Sequence, residues 1–157
     1  MNSHAYSVSR IFFTLILWIL TTAANAQADD EFKPPSREDI ATSQLMETIS
    51  SWAGAWQSQI PDLYISHYAI DYRPPDFSSR QEWVENRRTR LIEPEYIKLR
   101  LIDFELHELT NSGATARFKL IYERPDYSDE TYKELVFQES NGLWLISEEN
   151  NLEVKTL

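Results

Sequence analysis

The sequence predicts an α+β fold: three N-terminal helices packed on a curved antiparallel sheet of four or more strands. Three observations predict it. Apolar residues recur at steps of three and four from Leu45 to Ile60, and Trp83, Val84, Arg87 and Leu91 stand at helical intervals further on. Beyond Pro94 the recurrence changes to every second residue. The alternating runs are separated by short turn signals, at Asn111-Ser112-Gly113, at Asp126–Glu130 and at Asn141-Gly142, so successive strands pair as an antiparallel meander.

Residues 1–26 read as a signal peptide. Arg10 precedes an apolar run from Ile11 to Leu20, and Ala24-Asn25-Ala26 supplies the small residues at which such a peptide is cleaved. The run is half the roughly twenty residues that cross a bilayer, so the chain is expected to be exported to the periplasm with no membrane span after cleavage. Residues 27–35, acidic and proline-ended, read as a flexible leader, and residues 36–157 as one domain.

Ser36 is placed to cap the first helix, with Glu38 and Asp39 in its first turn, where the helix dipole favours acids. Leu45, Ile49, Trp52, Trp56 and Ile60 form its apolar stripe. Pro61 stops this helix or opens the next, a short one over Asp62–Tyr68. Tyr72-Arg73-Pro74-Pro75-Asp76 is a loop. Ser79 and Glu82 have capping-box spacing ahead of a third helix from about Arg80 to Ile92. The first strand is expected over Tyr96–Leu109. Its apolar residues are odd-numbered through Leu101 and even-numbered from Ile102, a phase slip that predicts a β-bulge. Ala114–Arg124 follows with Ala116, Phe118, Leu120 and Tyr122 on one face. Thr131–Glu139 comes next with Lys133, Leu135 and Phe137 on one face, and then Leu143 to about Glu149.

Charge and cysteine content exclude several functions. The 157-residue chain carries a net charge of −10, which rules out nucleic-acid binding by phosphate neutralisation. With no cysteine there is no disulfide, thiol catalysis or cysteine-ligated metal, and a core must supply the stability. His67 and His107 lack metal-ligand spacing, so neither a metal nor any other cofactor is expected.

The densest signal is a run of aromatic and arginine residues: Trp52, Trp56, Tyr64, Tyr68, Tyr72, Trp83, Arg87 and Arg90. So many aromatics within about forty residues must line a core or a pocket. Trp52 and Trp56 share one helix face and suit either. Arg87 and Arg90 could clamp a carboxylate or phosphate, stack on an aromatic ring, or pair with Asp62, Asp71, Glu123 or Glu148 as braces. Isomerase chemistry would need a carboxylate base, for which Asp71 and Asp103 are candidates, beside a donor such as Tyr64, Tyr68, Tyr72 or Tyr122. Ser147-Glu148-Glu149 reads as a solvent-facing strand end, with Glu148 able to pair with Lys133 across the sheet.

The layout of helix, helix, proline loop, helix and curved strands resembles the nuclear-transport-factor-2-like (SnoaL-like) superfamily. The local pattern is similar to the C-terminal accessory domain of periplasmic L,D-transpeptidases. It runs through Trp52, Ala55 and Trp56, then Asp62, Tyr64 and Tyr68, then Arg80, Trp83, Arg87 and Arg90. Ile97, Tyr127 with Ser128, Lys133 with Leu135, and Trp144, Ile146 and Glu148 complete it. Two stretches depart from it: Leu120–Pro125, where the usual pattern has a polar pocket residue, and Asp129–Tyr132. The resemblance implies a conical cavity, with Trp56, Tyr64, Tyr68, Trp83, Arg87, Arg90 and Tyr122 as the ligand-binding set and no catalytic residue. The expected function is a non-catalytic exported binding or accessory domain that holds a small molecule or peptide segment and has a cell-envelope or peptidoglycan partner. The alternatives are a small lyase or isomerase of ketosteroid-isomerase type using the same cone, and an interaction protein that forms a homodimer through its sheet around a filled cone.

Overall fold

Ser36 starts the first helix by closing a capping box. Its Oγ accepts from Asp39 N at 3.1 Å, and the Asp39 carboxylate accepts from Ser36 N at 2.9 Å. Helix α1 (Arg37–Gln57) buries Ala41, Leu45, Ile49, Trp52, Ala53 and Ala55 along one stripe. This is a computed structural model, and it describes residues 33–157. The expected signal peptide and most of the expected leader lie outside the described residues.

Helix α2 (Pro61–Ser66) has Pro61 at its first turn and ends two residues before the expected Tyr68. The backbone leaves the helix there because it is recruited by the sheet. Ala69 N donates to Ile146 O and Ile146 N donates to His67 O, both at 2.8 Å, forming a short parallel bridge. Helix α3 (Arg80–Ile92) is capped by Ser79, whose Oγ accepts from Glu82 N at 3.1 Å. The return bond differs from the sequence expectation: Glu82 accepts from the N–H and hydroxyl of Ser78, at 3.0 and 2.6 Å.

Strands β1 (Lys98–Leu109), β2 (Gly113–Arg124), β3 (Tyr127–Ser140) and β4 (Leu143–Thr156) form one antiparallel sheet in sequential order. The expected bulge is present in β1, where the register shifts between Ile102 and Glu105 and Asp103 takes φ 56°. Two boundaries differ from expectation. Strand β3 starts at Tyr127, because Pro125-Asp126 alone makes the turn, and β4 continues past Glu149 to Thr156, paired with Asp129 at its end. Asn141 and Gly142, at φ 53° and 78°, make the two-residue hairpin whose twist matches its strands.

A bulge in β4 was not legible in the sequence. Phe137 pairs with Ile146 but Val136 pairs with Glu148, so Ser147 is the extra residue, its Oγ donating to Val136 O at 3.1 Å. From there to Asn151 the faces of β4 are exchanged, and a second shift at Leu152, between the Lys133–Asn151 and Tyr132–Glu153 pairs, restores them.

The inner face of the sheet presents Ala116, Phe118, Leu120, Leu135, Phe137, Trp144 and Ile146 to the buried stripe of α1 and to Tyr64, Trp83 and Leu91. Each large side chain so buried contributes about 1.5–3 kcal/mol. Among the described residues no helix is long and apolar enough to cross a membrane.

Candidate ligand cavity

Alternation in β3 turns Lys133 inward with Leu135 and Phe137, leaving it only 4% exposed. A buried ammonium demands a counter-charge, and the Ser147 bulge supplies one by turning Glu149 inward opposite Leu135. Lys133 Nζ donates to Glu149 Oε1 at 2.5 Å and to Asn151 Oδ1 at 2.8 Å. The sequence expectation for this strand end is therefore corrected: Glu148 faces solvent, and Glu149 is the partner of Lys133.

The other Glu149 oxygen accepts from the Tyr68 hydroxyl at 2.6 Å. Tyr68 Oη in turn lies 3.0 Å from Trp52 Nε1 and 2.6 Å from the Tyr64 hydroxyl. A tyrosine has one proton to give. Tyr68 gives it to Glu149, so Tyr64 is the donor to Tyr68, and the Tyr64 oxygen keeps its lone pairs for the cavity. Burial pushes the pKa values of Tyr64, Tyr68 and Tyr72 up, and the nearby Glu149 charge adds to this, so all three are neutral donors. Burial alone would raise the Glu149 pKa. The Lys133 ammonium, its hydrogen bond and that of Tyr68 more than offset this and hold the carboxyl below its usual range. Burial works to lower the Arg87 pKa, and the charge of the Glu149 carboxylate beside it works to raise it.

Above this network opens a cavity of about 410 Å³. Trp56, Tyr64, Tyr122 and Tyr127 wall it, with ring centroids 5.5 Å apart for Trp56–Tyr122 and 5.7 Å for Trp56–Tyr64. Arg87, Arg90 and Arg124 bring guanidinium groups to it, against the carboxylates of Glu149 and Glu93. With Glu149 neutralised by Lys133 and Arg124 paired with Asp126 at 3.2 Å, Arg87 and Arg90 against Glu93 leave the cavity a net positive charge. Tyr64 and Glu149 lie at its floor; Arg90, Glu93 and Tyr127 are exposed at its rim.

Of the residues expected to bind ligand, Trp56, Tyr64, Arg87, Arg90 and Tyr122 line this cavity. Tyr68 lies beneath it within the hydrogen-bonded network, and Trp83 is fully buried, with Arg80 and Arg87 5.9 and 6.0 Å from its ring. Trp52 is core, at 0% exposure. Asp62 pairs with Arg88 at 2.9 Å and not with Arg87, since position 88 is the one that turns outward. The two candidate bases are corrected. Asp71 is exposed, and Asp103 sits at the β1 bulge, exposed and bound to Lys119 at 2.9 Å. His67 bonds Ser51 Oγ and Leu63 O, and His107 bonds Arg117.

Lys133, Glu149, Arg124 and Tyr127 escaped the sequence-based site. An inward lysine in a run of core residues was the available signal for the first two, but the bulge concealed which acid answers it. Two other hollows are of similar size. One on the outer sheet face holds exposed, ion-paired side chains such as Asp103 and Lys119. The other, between α1 and the β3–β4 hairpin, includes His67 and Trp144. Neither combines aromatic walls with several guanidinium groups.

Known structures share this architecture. Bd1075 of Bdellovibrio bacteriovorus superposes with TM-score 0.66 at 22% identity over 74% of this chain and 42% of its own. The K307A mutant of Pgp2, a helical cell shape determining protein of Campylobacter jejuni, gives TM-score 0.64 at 18% identity over 73% of this chain and 41% of its own. A putative scytalone dehydratase of Novosphingobium aromaticivorans gives 0.59 at 10% identity, over 75% and 88%. At these identities the likeness is one of fold, and the chain spans about two fifths of the length of the first two. No curated protein sequence matches the chain. The family described as the Cds6 C-terminal NTF2-like domain matches residues 44–150, from within α1 into β4 just past Glu149, and the chain belongs to that family.

Proposed function

We propose that this domain is a non-catalytic binding module that holds a small anionic ligand, or an anionic segment of a peptide, in the aromatic cavity. The observation that carries the reading is the meeting of three guanidinium groups with four aromatic rings over a floor whose one acid is already neutralised. Guanidinium groups match carboxylate and phosphate oxygens, and the rings supply apolar contact area at little entropic cost. A periplasmic location and a cell-envelope ligand, such as a peptidoglycan fragment, fit the N-terminal sequence and the cell-shape protein among the structural neighbours.

Base catalysis is the rival use of the cavity. It would fall to Glu149, and a carboxylate held ionised by Lys133 and Tyr68 is a weak base at neutral pH. Dimerisation through the sheet is the third use. The outer face is rich in ion pairs, Arg117–Glu134 and Lys119–Asp103 among them, which suits a solvated surface better than an obligate interface.

Titration with muropeptides, followed by tryptophan fluorescence, is expected to give a saturable change through Trp56. Arg87→Ala should weaken that binding by about tenfold or more, the loss of one charge-assisted hydrogen bond, while the melting temperature stays near that of the parent. No saturable change with any muropeptide, with sedimentation showing a dimer, would transfer the function to the outer face.

A further inference from the structure

A second, smaller cavity of about 80 Å³ lies on the other side of Arg87, beneath the loop from Tyr72 to Phe77. Arg87 and Glu149 line both cavities, so they form the partition between them. What distinguishes the small chamber is the sign of its unmet hydrogen bonding. Trp83 Nε1 and Arg87 Nε are buried with no partner among the described residues, and both atoms can only donate. Asn151, also on its wall, has its amide oxygen engaged by Lys133, which leaves its N–H₂ group as a further donor. Of the two acids on the wall, Glu149 has its oxygens taken by Lys133 and Tyr68, and Asp76 stands exposed on the covering loop, so the unpaired groups buried in the chamber are all donors. Buried donors left unpaired are expensive. The volume equals about two or three water-sized groups, enough for a carboxylate and the carbon that bears it.

Resting on the binding role of the main cavity, we propose that this chamber is a subsite for the terminal carboxylate of the ligand. The Trp83 indole N–H and the Arg87 guanidinium would donate to its oxygens while the rest of the ligand lies among Trp56, Tyr64 and Tyr122. Arg87 then acts as a gatepost touching both parts of the ligand, and Trp83, fully buried, acts through its one N–H.

Acetate is a probe small enough for the chamber. Pivalate, of equal charge, is too bulky. In the ¹⁵N-tryptophan-labelled protein, acetate should produce a saturating downfield shift of the Trp83 indole N–H resonance, and pivalate should not. Arg87→Lys keeps the charge but removes the Nε–H, and should weaken the acetate response about tenfold. Equal responses to acetate and pivalate would overturn the proposal. So would a Trp83 resonance that acetate leaves in place, which would mean that water alone fills the chamber. A muropeptide that moves Trp56 while no carboxylate moves Trp83 would sink the subsite and leave the main cavity standing.

Discussion

Residues 133 and 134 are neighbours on β3, face opposite ways, and each belongs to an ion pair. Inside, Lys133 and Glu149 meet at 2.5 Å with side chains 5% and 13% exposed. Outside, Arg117 and Glu134 meet at 2.7 Å with side chains 27% and 16% exposed. The outer pair joins adjacent strands, and its acid also takes a bond from Asn150 at 3.3 Å. The inner pair is tied through Tyr68 to Tyr64 and Trp52, and so to α2 and α1. An ion pair withdrawn from water gains little net stability from its own attraction, because desolvation offsets it. The contrast teaches that the inner pair anchors helices to sheet and sets the charge of a cavity floor, whereas the outer pair, with His107 and Asn150, only laces strand to strand.

The largest effect expected from this contrast is that of Glu149→Ala. It leaves the Lys133 ammonium buried without its counter-charge and should destabilise the domain by about 3–5 kcal/mol in urea unfolding. Glu134→Ala should cost about 1 kcal/mol or less. Equal losses for the two variants would erase the distinction. Next comes Tyr68→Phe, which strands one Glu149 oxygen and the Trp52 N–H. About 1–3 kcal/mol is expected, measured the same way, and a near-neutral result would mean the network holds nothing together.

Acid and alkaline titrations sharpen the comparison further. The Glu149 pKa is lowered in the fold from its ordinary value of 4.5. Its contribution is therefore complete above that value and is lost as pH falls through the lower folded one. Glu134 is lowered too, chiefly by its hydrogen bond from Arg117, so it acts over the same window, and Glu134→Gln should leave the larger part of the acid limb intact. Tyr64, Tyr68 and Tyr72 are raised from 10.0, so their contribution is full below that pH and lost as the solution is made more alkaline. Unfolding followed by tyrosinate absorbance should show a group of tyrosines that ionise only with loss of structure. The smallest effect belongs to Asp103→Gly on the outer side. Relief of the backbone at φ 56° and loss of the exposed pair with Lys119 oppose each other, and the net change should stay within about 1 kcal/mol.

Local rules carried most of the fold. Ser36 and Ser79 cap their helices, Asn141-Gly142 turns its hairpin, and the slip near Leu101 and Ile102 marks the bulge at Asp103, because each depends on residues within a few positions. The aromatic–arginine run likewise pointed to Trp56, Tyr64, Arg87 and Arg90, and the family resemblance to Tyr122; the five meet around one cavity. Glu149 was lost for a physical reason. Counting back from the Asn141-Gly142 hairpin without interruption puts Glu148 on the inner face. One extra residue at Ser147 reverses the assignment, and nothing in Leu145–Glu148 announces it. Arg124 and Tyr127 were missed because Pro125-Asp126 proved a tight turn, which carries both back to the rim of the cavity.

The parallel bridge between Tyr68 and Ile146 has a consequence for the order of assembly. The helices leave the ribosome first, yet Ala69 N–H and the Tyr68 hydroxyl find their acceptors only after residues 146–149 have been synthesised. The hairpins can zip up between chain neighbours, but the helical half has to wait for the last strand to lock it. A domain built this way keeps its helical half unlocked until residues 146–149 are in place.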